Sequence, residues 1–149
     1  MDVLQRMGPP PRETVDRPVV SLGRTAPADR SNASALRRSF RSWVREWADP
    51  DTADDLALAV YEALANVVDH AYSTATHPGE MRLWAAVSPP LHGGRDLVVT
   101  VSDDGLWRRS TGCGWRGRGL PLMHTLARAT VLSGVHGTTV QLRSRVSPE

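Results

Sequence analysis

A chain of 149 residues and 16.3 kDa fits one domain, and 40% hydrophobic with 23% charged residues is ordinary globular composition. No apolar run approaches the ~20 residues a bilayer crossing needs, and the start, MDVLQRMGPPPRE, lacks the apolar stretch of a secretory signal. Eighteen arginines, with no lysine, against sixteen acidic residues leave a net charge of only +2, and the single Cys113 excludes an intramolecular disulfide or a cysteine-built zinc site. A small cytoplasmic domain is expected, with no membrane partner.

Residues 1–17 read as a flexible tail, rich in proline and charge (Pro9, Pro10, Pro11) and without apolar period. The domain proper is expected over 18–146. Val19, Val20 and Leu22 suggest a short first strand, ended by the GRTAPADRSN segment. Ser31 or Asn32 then offers a helix cap. Leu36, Phe40, Trp43, Val44 and Trp47 follow at offsets 4, 7, 8 and 11, which is helical spacing. Both tryptophans read as core; if exposed, they would instead mark a docking surface. Arg37, Arg38, Arg41 and Arg45 share this helix and read as a solvated or partner-facing surface rather than a nucleic-acid site.

Asp49-Pro50 is expected to end that helix. Asp51 or Thr52 would cap a second helix running to about Tyr72, with Leu56, Val60, Ala63, Leu64, Val67 and Ala71 as its apolar stripe. Residues 81–87 and 96–102 alternate like two strands of a hairpin around the SPPLHGGR turn. A Gly/Arg-rich stretch, Leu106 to Gly119, precedes a third helix carrying Leu120, Met123, Leu126 and Ala127, with Pro121 tolerated in its first turn. Thr130–Leu132 and Thr138–Leu142 close the chain as strands. The pattern predicts an α+β fold, a two-layer sandwich with helices on one face of a mixed, mostly antiparallel sheet.

Glu62, Asn66 and His70 recur at i, i+4 and i+8, a polar stripe flanking the apolar one. Alone it is an ordinary helix boundary. Chemically, a carboxylate one turn from a carboxamide can orient an attacking hydroxyl while the amide oxygen meets a hard cation. Asp103-Asp104-Gly105 follows a strand, where a carboxylate beside a glycine suits recognition of an exocyclic amine such as adenine's; the same tripeptide is also a turn signal. Gly112, Gly114, Gly117 and Gly119, interspersed with Arg108, Arg109, Arg116 and Arg118, run into a helix start, which makes an anion site. It is neither a Walker A loop nor a Rossmann fingerprint.

In order, Glu-x-x-x-Asn on a helix, Asp-x-Gly at a strand end, Gly-x-Gly before a helix and Gly-Thr before the last strand resemble the GHKL (Bergerat-fold) ATPases. Within them the chain looks like the anti-sigma-factor serine kinases of bacterial partner switching, the RsbW-like group. Glu62 through Tyr72, with its His-Ala-Tyr ending, resembles that group's first motif, Gly117 through Met123 the third, and Gly137-Thr138-Thr139-Val140 the last. The resemblance spans roughly residues 18 to 145.

It implies ATP and Mg²⁺ as cofactors. Asn66 would hold the metal beside the phosphates, and Glu62 would be the base or orienting group for a serine hydroxyl. Asp103 would bind the adenine amine, with Gly105 shaping the turn and Thr138 backing the site. Gly117, Gly119 and Leu120 would bring the loop and helix start to the phosphates, with Arg116 and Arg118 as further phosphate contacts. The implied partners are a sigma factor and a STAS-domain anti-sigma antagonist. A homodimer through the sheet and first helix would also follow.

The chain departs from the second motif, usually Asp-x-Gly-x-Gly, by placing Trp107 at the last position. A tryptophan lacks glycine's backbone freedom, so the loop after it is expected to start differently and to be short. A partner-docking module without turnover is therefore the alternative to a kinase. The catalytic domain of a sensor histidine kinase is a lesser one, since so short a chain is expected to carry no phosphoacceptor domain. His70, His77, His92, His124 and His136 show no i, i+4 ligand pair, and Cys113, though near arginines, has no base partner in view.

Overall fold

The computed structural model describes residues 20–73, 75–77, 79–106 and 127–148. Five strands form one open sheet in the order β1-β2-β3-β5-β4: β1 (Val20–Pro27), β2 (Glu80–Val87), β3 (Arg95–Asp103), β4 (Arg128–Gly134) and β5 (Gly137–Val146). Two helices, α1 (Arg30–Val44) and α2 (Pro50–Asn66), cover one face, so the architecture is an α+β sandwich. Every pairing among the described strands is antiparallel, within the mixed, mostly antiparallel sheet that was expected. The tail 1–17 lies outside the described residues. So does nearly all of the expected third helix; its Ala127 packs half-buried against the core just before β4.

Alternation decides which face each strand buries. Met81, Leu83, Ala85 and Val87 on β2, Leu97, Val99 and Val101 on β3, and Val140 and Leu142 on β5 all lie in the core. Ala33, Leu36, Phe40 and Val44 from α1 and Ala53, Leu56, Val60, Ala63 and Leu64 from α2 pack onto them. The small residues of α2 allow close approach, and the large side chains Phe40 and Leu64 are fully buried. Trp43 and Trp47 are half-buried against this core, their rings 6.4 Å apart, as the core reading expects.

Several boundaries differ from the sequence reading. β1 runs on through Gly23-Arg24-Thr25-Ala26 to Pro27, because β2 offers it a full eight-residue partner that local turn propensity does not reveal. The first cap is Asp29, whose carboxylate accepts from Asn32 N–H at 2.7 Å, rather than Ser31 or Asn32. The second is Asp49, which accepts from Thr52 N–H at 2.9 Å and Thr52 Oγ1 at 2.6 Å, rather than Asp51 or Thr52. Such a cap stabilises a helix by about 1 kcal/mol. Pro50 opens α2 at a position where its missing N–H costs nothing, instead of ending α1. α1 stops earlier, in a turn where the carbonyls of Trp43 and Val44 accept from Glu46, Trp47 and Ala48.

The second helix does not continue to Tyr72 as an α-helix. It becomes a π-helical turn over Val67–Ala71, immediately after Asn66. Turns of this kind recur at functional sites.

The arginine face of α1 is largely spoken for. Arg41 Nε donates to Asp54 at 2.5 Å, Arg37 lies over the Tyr61 ring at 5.5 Å, and Arg30 stands 3.8 Å from Asp69. These contacts clip α1 to α2 and to the π turn that follows it.

Candidate functional site

Asp103 is the last residue of β3 and points into the molecule at 3% exposure, the one carboxylate buried among the described residues. Its Oδ1 accepts from the backbone N–H of Gly105 at 2.9 Å and of Thr138 at 3.3 Å. The β3 carboxylate is thus fixed by the turn that follows it and by the start of β5. The register Asp103–Thr138 makes the second contact automatic.

Two glycines let backbone crowd this point. A Cβ on Gly105 would lie 1.9 Å from the Ala71 carbonyl oxygen, and one on Gly137 would lie 1.9 Å from the Asp103 carbonyl oxygen. Gly137 also has φ +132, which side chains with a Cβ rarely adopt. Thr138 is buried, and its hydroxyl pairs with Ser133 at 3.1 Å across the β4–β5 hairpin.

Glu62 and Asn66 lie on α2, Asn66 as its last residue. Both are half-buried, one turn apart, and neither side chain has a hydrogen-bond partner among the described residues. The helix end is fastened to the strand end through the π turn, since Leu106 N–H donates to the Ala71 carbonyl at 2.8 Å. Asn66 and Asp103 therefore stand on directly connected elements. Arg116, Gly117, Arg118, Gly119 and Leu120, like Trp107 and Cys113, lie outside the described residues.

Sequence reasoning passed over Tyr72, Gly79, Arg82, Ser133 and the close approach of Gly137. Tyr72 donates its hydroxyl to the Glu80 carbonyl at 2.5 Å and accepts from Asp104 N–H at 3.0 Å. Arg82 grips the Asp104 carboxylate with two bonds, 2.9 and 2.8 Å. This hydrogen bonding holds the Asp104 carboxyl below the usual range, while burial pushes the Tyr72 phenol up. The only signal for Tyr72 was its place at the end of the first motif. Arg82 gave none beyond its strand position.

A groove of ≈ 500 Å³ opens at this end of the sheet, lined by Arg82, Ser102, Asp103, Asp104, His136 and Gly137 among others. Arg82, Ser102 and Thr139 stand in register on the sheet face turned away from the helices. Glu62 and Asn66 do not line it.

The donor set fits an amino-purine nucleotide. A buried carboxylate accepts and an amine donates, and the backbone packed at Gly105 and Gly137 holds that carboxylate in place. The amide oxygen of Asn66 is a hard ligand suited to Mg²⁺. No cluster of three His, Cys, Asp or Glu among the described residues could hold a metal alone, so phosphate oxygens would complete its shell.

A family model, the histidine kinase-like ATPase domain, matches residues 26–144. The chain belongs to that family. Membership points to ATP binding and to a kinase or regulatory role. Among solved structures, the chain is similar to the histidine kinase domain of the blue-light activated histidine kinase from Erythrobacter litoralis EL346, at 25% identity and a TM-score of 0.47. That match covers 74% of this chain and 59% of the other, so the chain spans about three-fifths of that neighbour. No curated protein matches the chain. No helix among the described residues is long and apolar enough to cross a membrane.

Proposed function

We propose that the chain is an ATP-binding anti-sigma factor with serine-protein kinase activity, which sequesters a sigma factor and phosphorylates a STAS-domain antagonist. The observation that carries the nucleotide half of this reading is Asp103, a buried carboxylate locked by Gly105 and Thr138 and tied through Ala71 to the helix of Glu62 and Asn66. The partner half rests on the motif resemblance of residues 62–72, 103–105, 117–123 and 137–140.

In this reading Asp103 accepts from the adenine amine and sets where the purine lies. Asn66 would offer its amide oxygen to Mg²⁺, whose charge would neutralise the phosphates. Glu62 accepts the proton of an incoming serine hydroxyl. The serine Oγ then bonds to the γ-phosphorus, the bond from that phosphorus to the β–γ bridging oxygen breaks, and ADP leaves with the electron pair. Positioning and charge neutralisation supply most of the rate.

Incubation with radiolabelled ATP, Mg²⁺ and a candidate STAS protein tests the reading. Label on a serine of the partner is the expected result. ATP binding with no label on any partner would leave the docking module instead, a domain that acts by holding its partner without turnover.

A further inference from the structure

We infer that Tyr72 is a positioning residue for the purine-binding carboxylate, its phenol standing in for the next rung of the β2–β3 ladder and so fixing the Asp103–Gly105 turn. This rests on the nucleotide reading above.

The ladder pairs Met81 with Asp103, which makes Glu80 and Asp104 the next residues to face each other. Their groups are bridged by the Tyr72 hydroxyl, which donates to the Glu80 carbonyl and accepts from the Asp104 N–H. A direct rung would draw Asp104 closer to β2 by the width of an oxygen atom. The phenol instead holds the strands apart at their ends, with both backbone groups satisfied.

The ring has a built seat. A Cβ on Gly79 would fall 2.0 Å from Tyr72 Cε1, so any larger residue there would push the ring from its place beside the start of β2. The π turn delivers Tyr72 to that seat, because an i→i+5 turn shifts every later residue relative to a continued α-helix. From the opposite sheet face Arg82 holds the Asp104 side chain. Asp104 is thus clamped by its N–H on one side and its carboxylate on the other, and Asp103 and Gly105 flank it. A phenol is protonated, hence a donor, throughout the neutral range, and burial pushes this one's pKa further up.

The consequence is selectivity. If the clamp sets where the Asp103 carboxylate stands, losing it costs a purine that carries a 6-amino group more than one that carries a 6-oxo group. The test is calorimetric titration of wild type, Tyr72→Phe and Gly79→Ala with Mg²⁺-ATP and Mg²⁺-inosine triphosphate. Each variant should weaken ATP binding about three- to tenfold, the loss of roughly one hydrogen bond, with inosine triphosphate binding little changed. Asp104 amide exchange in the nucleotide-free protein should be slow in wild type and at least about tenfold faster in Tyr72→Phe.

Equal weakening for both nucleotides, or an unchanged ATP-to-inosine ratio, overturns the positioning role. So does unchanged amide exchange in Tyr72→Phe. A wild type that binds neither nucleotide, or prefers neither, overturns the nucleotide reading itself, and this inference with it.

Discussion

The backbone N–H of Thr138, at the start of β5, donates to Oδ1 of Asp103, at the end of β3, across a distance of 3.3 Å. Two non-consecutive stretches of sequence therefore define one carboxylate position. Gly137 makes that approach achievable, with its absent side chain facing the Asp103 carbonyl.

Gly137→Ala and Gly105→Ala should each destabilise the domain by more than about 1 kcal/mol, because in both the new methyl meets backbone that cannot step aside. Gly23→Ala is the control, since a Cβ there meets nothing within 4 Å. Urea melts of the three variants check the ordering.

Glu62→Ala should keep ATP binding and lose phosphoryl transfer by about 10²–10⁴-fold, the usual contribution of a general base. Its half-buried side chain has no partner among the described residues, so removing it breaks no bond among them. Normal transfer by this variant would remove Glu62 from its role. Parallel titration and label-transfer assays separate the two effects.

Much of this arrangement was legible in the chain itself. The apolar stripe of α2 specified the helix and its buried face, and Leu56, Val60, Ala63, Leu64, Val67 and Ala71 are all buried as expected. Strand alternation fixed β2, β3 and β5 to within a residue or, at the open end of β5, a few. Caps were misplaced because Asp29 and Asp49 sit one residue before the helix starts they serve, beside other good capping residues. β1 was cut short since a strand held by its neighbour needs little propensity of its own. The π turn and the Tyr72 bridge left no trace, being products of how α2 meets the sheet.

Two titrations should shape the stability profile. Arg82 lowers the Asp104 pKa, so that contribution is present above the unfolded value of about 3.9 and lost as pH falls through the folded one. Arg82→Gln should therefore flatten the acid limb of melting temperature against pH. Burial raises the Tyr72 pKa, so its contribution is full below about 10 and declines as pH rises above that. Tyr72→Phe should flatten the alkaline limb.

DNA should not be retained at moderate salt. Arg37 and Arg41 already serve Tyr61 and Asp54, which leaves Arg38 and Arg45 as the other two arginines of the α1 cluster, few for neutralising a backbone. Mobility shifts over a salt series measure this; tight binding with a steep salt slope is the contrary result.

The account depends most on the carboxylate at the end of β3. Calorimetry of Mg²⁺-ATP into wild type and Asp103→Asn reads it directly. Saturable binding by wild type, weakened more than about tenfold in the folded variant, is the predicted outcome, a loss of the order expected when a charged hydrogen-bond partner is removed. Undiminished binding by Asp103→Asn, or no uptake of ATP by folded wild type, would contradict it.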